Sequence, residues 1–367
     1  MTEKKYWLYL AHVNALESRR RSMLLEIFGS PEEIYRADRS ELEKVMLLEE
    51  THINQLVNSR SIDFEAELDR MEKMNIKFVS VDDDIFPEKL REIPDCPHYL
   101  FYKGKLPKEN TPSVAIIGSR KCSTYGMEMG MFFAEKLSEC GVQIISGMAA
   151  GVDGYAHRGA VRAGGDTFGI LGSGVDICFP KENRDIYDFM CENGGVVSEY
   201  YPGRSPIPLN FPQRNRLISG FSDCILVAEA RKKSGTSITV GQALEQGREV
   251  FAVPGRLEDP VSDGCNELIR NGAKIATSPN DILMELRSQY EALLKEIKIK
   301  NKKLIKNLDC DEKIVYACLR LLPKHFGELQ NETGFSAEKL SVILVNLQLK
   351  NYAAEAGKNS YIKTVRR

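Results

Sequence analysis

Neither sign of charge is in excess in this chain: 50 Lys and Arg stand against 52 Asp and Glu, giving a formal net charge of -2 and a pI near 6.3. That balance excludes a protein coated for indiscriminate attachment to nucleic acid and confines any polyanion binding to local patches. Paired cysteines are missing as well. The nine cysteines stand singly and no Cys-x-x-Cys occurs, which fits the reduced thiols of a cytoplasmic protein. No Cys/His cluster reaches metal-ligand spacing, so neither a metal nor a cofactor is expected. P-loop, nucleophile elbow, internal repeat and low-complexity tract are all absent. Long apolar runs are lacking too: Trp7-Leu-Tyr-Leu10 is broken by Ala11-His-Val-Asn14 and Glu17-Ser-Arg-Arg-Arg21, far short of a membrane span or a secretory core. No membrane partner is expected.

What remains is ample apolar content, 43% of residues, enough for two or three domains with real cores. Residues 1–75 read as a small helical domain. Met23-Leu-Leu-Glu-Ile-Phe28 stops at Gly29, and Ser30-Pro-Glu-Glu-Ile34 gives a cap followed by proline at the first helical position. Glu41 to Leu47 and Ile62 to Met74 continue the pattern. This region is slightly acidic, with 12 Lys and Arg against 15 Asp and Glu over residues 1–80.

From 76 to 286 short apolar runs alternate with helical stretches. The runs are Val114–Ile117, Val142–Ile145, Thr167–Leu171, Val196–Val197, Cys224–Ala228 and Val250–Val253. Helix candidates lie between them at 126–140, 153–163, 183–192 and 236–247. Such runs with helical crossovers predict an α/β, Rossmann-like, mostly parallel sheet flanked by helices, with ligands beyond the carboxyl ends of its strands. Residues 287–310 read as a basic linker. Three amphipathic helices and a hairpin around Gly357-Lys-Asn359 make 311–367 a winged-helix domain.

The polar motifs cluster where that architecture places ligands. Gly118-Ser119-Arg120 leaves a strand for a helix, offering close backbone approach, donors and a bidentate charge. Ser146 and Gly147 open a second glycine-rich loop, Ser146-Gly-Met-Ala-Ala-Gly151. Lys181 and Asn183 follow the proline turn Phe179-Pro180. Arg214, Asn215 and Arg216 sit in Phe211-Pro-Gln-Arg-Asn-Arg-Leu-Ile-Ser-Gly220, beside what looks like the start of a helix. Arg231-Lys-Lys-Ser-Gly-Thr-Ser-Ile-Thr239 repeats the pattern, although Ser/Thr capping explains its hydroxyls without a ligand. Asp153 and His157 share a helical face, but a capping acid and a structural histidine account for them. Leu171-Gly-Ser-Gly-Val-Asp176 lacks the third glycine of the dinucleotide fingerprint, which disfavours NAD.

In order and spacing these motifs, with Glu229-Ala230 and Ala252-Val-Pro-Gly255, resemble the DNA-processing protein A family (DprA, also called Smf). The resemblance covers residues 80–285, and implies a small sterile-alpha-motif-like helical domain in front and, in some members, a winged helix behind. It implies a cytoplasmic, non-enzymatic mediator that binds single-stranded DNA, protects incoming strands in natural transformation and loads the RecA recombinase against single-strand-binding protein. It assigns strand binding to Gly118, Ser119, Arg120, Ser146, Gly147, Lys181, Asn183, Arg214, Asn215 and Arg216. A homodimer and recombinase surface falls on Leu244, Asn266, Leu268, Ile269, Arg270 and Ile275. Phe179 and Phe211 are possible stacking platforms. In the winged helix the recognition-helix candidate, 337–350, carries Lys339 and Lys350 against Glu338, while Lys358, Lys363, Arg366 and Arg367 gather near the wing and tail; an auxiliary contact with duplex or protein is expected there.

The alternative is a Rossmann-like nucleotide phosphoribohydrolase. That family's loop reads Pro-Gly-Gly-x-Gly-Thr with carboxylates following, whereas Lys233-Ser-Gly-Thr-Ser-Ile-Thr239 has neither the prolyl-glycine start nor the acids.

Overall fold

A computed structural model describes residues 2–13, 16, 18–232, 234–295, 308–319, 324–350, 352–357 and 359–363. Residues 1–291 form one compact unit and 292–367 a second.

The first unit begins with helices α1 (Thr2–His12), α2 (Ser18–Phe28), α3 (Pro31–Arg36), α4 (Arg39–Leu42), α5 (Glu50–Asn58) and α6 (Phe64–Lys73). The cap expected at Ser30 is present: its Oγ accepts from Glu33 N at 3.2 Å, with Pro31 at the first helical position, an arrangement worth about 1 kcal/mol. Where a helix was expected over Glu41–Leu47, one turn ends at Leu42 and a turn follows.

The α/β part comprises β1 (Lys77–Ser80), α7 (Glu88–Arg91), β2 (Tyr99–Gly104), β3 (Ser113–Gly118), α8 (Thr124–Glu139), β4 (Gln143–Ser146), α9 (Val152–Arg162), β5 (Thr167–Ile170), α10 (Arg184–Asn193), β6 (Gly195–Ser198), α11 (Asn210–Gly220), β7 (Cys224–Glu229), α12 (Thr236–Glu245), β8 (Glu249–Ala252), α13 (Asp263–Arg270), β9 (Lys274–Ile275) and α14 (Pro279–Lys295). Its nine strands order as β1-β2-β6-β5-β4-β3-β7-β8-β9. From β6 to β9 all neighbours are parallel, while β1, β2 and β6 pair antiparallel. The six expected runs are β3 to β8. Helices cover both of their faces, so β4, β5, β6 and β7 are buried at every position and carry no polar alternation.

Strand β2 does alternate. Leu100 and Tyr102 enter the main core with Ile117, Phe168 and Ile225. Tyr99 and Phe101 enter a second cluster with Leu8, Leu24 and Leu56 of the helical segment, joined from β1 by Phe78. The expected boundary at 75 therefore lies inside a continuous apolar cluster, because opposite sides of one strand are both buried.

Helix α14 runs to Lys295 with a bend at Tyr290, so the start of the expected linker is helical; residues 296–307 lie outside the described residues. In the second unit, helix Cys310–Cys318 is followed by β10 (Lys324–His325), helices Phe326–Thr333 and Ala337–Leu349, then β11 (Ala353–Glu355) and β12 (Ser360–Lys363), the strands pairing in the order β10-β12-β11. Gly334 ends the second helix at φ +69°, and Ser336 Oγ caps the third by accepting from Lys339 N. Lys358, Arg366 and Arg367 lie outside the described residues, as does the side chain of Lys363.

Candidate nucleic-acid interface

The sheet has its switch point at β3: the chain goes on to β4, β5 and β6 on one side, while β7, β8 and β9 fill the other. Connections that leave in opposite directions open a crevice at the carboxyl ends, and a cavity of about 500 Å³ lies there. It is lined by Gly118 to Lys121 after β3, Ala149 and Asp153 after β4, Arg214 and Asn215 of α11, and Arg231, Ser234, Gly235 and Thr236 after β7. Four of the motifs singled out in the sequence thus converge.

The loop after β3 is held at both ends by Glu229. Its carbonyl accepts from Ser119 N at 2.8 Å, and its buried carboxylate accepts from Ser123 N at 3.0 Å and from Ser123 Oγ. Gly151, at φ +76°, permits the approach of this loop to the next: a Cβ there would lie 2.3 Å from Ser119 O.

The cations at the cavity are of two kinds. Arg120, Lys121 and Arg231 are exposed, and among the described residues none of their side chains has a hydrogen bond or ion pair. The Arg120 guanidinium lies 5.3 Å from the Phe211 ring centroid, and Phe211 lies 5.9 Å from Phe179, which is 45% exposed. This chain of contacts joins the cavity to the turn bearing Lys181, an exposed residue in the short 3-10 helix Lys181–Asn183. The Ser234 hydroxyl at the cavity is buried and lacks a partner, an unusual state for a polar atom.

Arg214 belongs to the other kind. It is 4% exposed; its Nη1 donates to Gly147 O at 2.8 Å and to Ile170 O. Burial brings its pKa down to about 10 against the pull of Asp153. Asp153 Oδ2 accepts from Gly147 N at 3.1 Å and Ala149 N at 3.3 Å; burial raises its pKa, which Arg214 and these amides oppose.

Several expected contacts are therefore corrected. The Arg214–Arg216 motif lies inside α11, not at its start, and residues two apart on a helix point about 200° away from each other. Arg214 and Asn215 reach the cavity, whereas Arg216 turns to the opposite side and pairs with Glu199 at 2.7 Å and Asp95 at 2.9 Å. Ser146 is buried and donates to Ile116 O at 2.6 Å, and the Gly147 amide is taken by Asp153. Asn183 donates to Met148 O and Ala149 O and accepts from Arg158, so it ties two loops together and offers nothing to a base. The Gly118 position is closed by packing, since a Cβ would meet Val152 at 2.7 Å. Lys121 was missed by sequence reasoning; its signal was simple adjacency to Arg120.

His157 hydrogen-bonds Thr167 at 2.7 Å, and burial lowers its pKa to about 3, as expected of a structural histidine. On the surface assigned to assembly, Leu244 and Ile275 are exposed at 63% and 49%, and Arg270 is exposed. Leu268 and Ile269 instead pack against the core, and Asn266 bonds to both Gly255 N and Gly255 O. Among the described residues there is no group of three or more potential metal ligands, and no helix is long and apolar enough to cross a membrane.

Comparison with known proteins places these features in one family. The DNA processing protein DprA of Streptococcus pneumoniae is 44% identical over 206 residues, covering 56% of this chain and 73% of the relative. Protein Smf of Escherichia coli is 40% identical over 224 residues, covering 61% and 60%. Among solved structures, that of the S. pneumoniae DprA matches with a TM-score of 0.67 at 36% identity, covering 77% of this chain and 97% of that one. DNA processing protein A of Helicobacter pylori, solved for its single-stranded DNA binding mode, matches with a TM-score of 0.53 at 29% identity, covering 58% and 97%. Residues 77–287, the sheet and the cavity at its switch point, match the family model DNA recombination-mediator protein A, and the chain belongs to that family.

Proposed function

We propose that the protein is a recombination mediator that grips single-stranded DNA in the cavity at the β3/β7 switch point, without catalysing a reaction on it. The observation that carries this reading is the set of unpaired cations, Arg120, Lys121 and Arg231, around a cavity whose rim continues through Phe211 to the exposed Phe179. Unpaired cations displace counterions from a phosphate backbone, and exposed rings stack bases of any sequence. Asp153 and Glu229, the carboxylates of these loops, are tied to backbone amides, which supports a grip and leaves them poorly placed as acid or base. Lys181 and Asn215 extend the contact; Arg214 supports it from beneath. Within this reading the protein acts in the cytoplasm on strands entering by transformation, loads RecA against single-strand-binding protein, and dimerises through the exposed Leu244, Arg270 and Ile275.

The test is a salt titration of oligo-dT binding for the wild type and for Arg120→Ala, Arg231→Ala and Lys181→Ala. Each substitution is expected to weaken binding roughly tenfold and to reduce the salt slope by about 0.7 per lost phosphate contact. Unchanged affinity in all three would overturn the reading.

A further inference from the structure

Helix α11 carries charge on a second face. Opposite the strand cavity, the helical segment and the sheet enclose a cleft of about 530 Å³, within the range of small-molecule sites. Its floor is a buried ion cluster. Arg21 Nη2 lies 3.3 Å from one oxygen of Glu199 and Arg216 Nη2 lies 2.7 Å from the other, so a single buried carboxylate serves two guanidiniums. Asp95 completes the cluster from the exposed side, 2.9 Å from Arg216 Nε. Arg21 Nε is buried without a partner. Two more guanidiniums, of Arg19 and Arg204, stand at the same cleft, and among the described residues neither has a hydrogen bond or ion pair.

Four guanidiniums thus face two carboxylates in one concavity, an excess of two positive charges. Positive charge gathered over a desolvated floor is unfavourable unless an anion joins it, and planar guanidiniums match phosphoryl oxygens in pairs. Ile207, Leu209 and Pro212 make part of the remaining wall apolar, beside Gln213 and Gln242, and Leu209 is 63% exposed. An anion-binding cluster beside these apolar side chains suits a phosphate that carries a ring.

We propose that this cleft binds a nucleotide, its phosphate held by Arg19 and Arg204 above the Arg21–Glu199–Arg216 floor and its ring against Leu209. The nucleotide comes either free or as a unit of a strand that has passed over α11. The site is separate from the strand cavity and does not rest on it.

The experiment titrates the full chain with dTMP by calorimetry and with labelled oligo-dT by anisotropy, for the wild type, Arg19→Ala, Arg204→Ala and the control Arg120→Ala. Among the described residues Arg19 and Arg204 make no side-chain pairs, so their loss is expected to leave the fold intact, which urea melts check. For a free nucleotide, the wild type binds dTMP, Arg19→Ala and Arg204→Ala weaken it about tenfold, and Arg120→Ala does not. For a strand unit, dTMP fails to bind but both variants weaken oligo-dT. The proposal is overturned if Arg19→Ala and Arg204→Ala leave both ligands at wild-type affinity, whether or not dTMP binds. An unchanged oligo-dT affinity in Arg120→Ala would count against the strand cavity alone.

Discussion

The cations at the switch-point cavity and the described lysines Lys324, Lys339 and Lys350 of the C-terminal unit are used in opposite ways. At the cavity Arg120, Lys121 and Arg231 have no carboxylate partner among the described residues. In the C-terminal unit Lys339 pairs with Asp311 at 2.7 Å, Lys350 with the buried Glu312 at 2.6 Å, and Lys324 with Glu332. The helix expected to enter a groove instead presents Val342, Val345 and Leu349, exposed at 61%, 52% and 76%. A fold associated with DNA and a count of lysines would have favoured the second region. Pairing reverses that judgement, because a cation neutralised by its own protein has little to offer a phosphate.

The contrast can be broken most forcefully at Arg214, a cation of the cavity that behaves as a paired one. Arg214→Ala strands two buried carbonyls and leaves Asp153 uncompensated; it is expected to cost about 3–5 kcal/mol in urea unfolding, an effect on the fold as much as on binding. The next effect comes from pH. Burial holds the pKa of His98 down to about 4 and that of His157 to about 3, so both are neutral in the fold. Below about pH 6.5 the unfolded chain takes up protons that the folded chain does not, and stability falls by up to about 1.4 kcal/mol per pH unit for each histidine. Urea midpoints should hold steady from pH 8 to 7 and fall from 6.5 toward 4, with a shallower fall in His157→Phe. Phe179→Ala removes the exposed ring and is expected to weaken oligo-dT by roughly tenfold, about 1–2 kcal/mol, with the salt slope unchanged. Smallest of all, Lys339→Ala should shift stability by no more than about 0.5 kcal/mol and leave the oligo-dT salt slope as it was; a slope that dropped by a full contact would erase the contrast between the regions.

The parallel strands β3 to β8 were legible because burial on both faces leaves uninterrupted apolar runs, and the caps at Ser30 and Ser336 were legible because their chemistry is local. Edge strands β1 and β9 escaped notice: β9 is two residues long and exposed, and β1 gains its identity only by pairing with β2. The convergence of Gly118-Ser-Arg120 with Arg214 and Ser234 followed from the rule for open α/β sheets. Which arginine of α11 faces the cavity did not, since that depends on helical phase, and the motif reads equally well as a loop. The Arg21–Glu199–Arg216 cluster spans 178 positions between its first two members, and no local pattern announces it.

Strand β2 links the halves of the first unit in a way that bears on folding. Because Tyr99 and Phe101 serve the helical segment while Leu100 and Tyr102 serve the sheet core, a slip of one residue in its pairing with β6 would exchange the side chains of both cores at once. Neither core can form around a wrong register and be corrected by the other. The N-terminal helices thus add a second condition on strand placement, and a chain that lost them would leave Phe78, Tyr99 and Phe101 as an open aromatic face inviting aggregation.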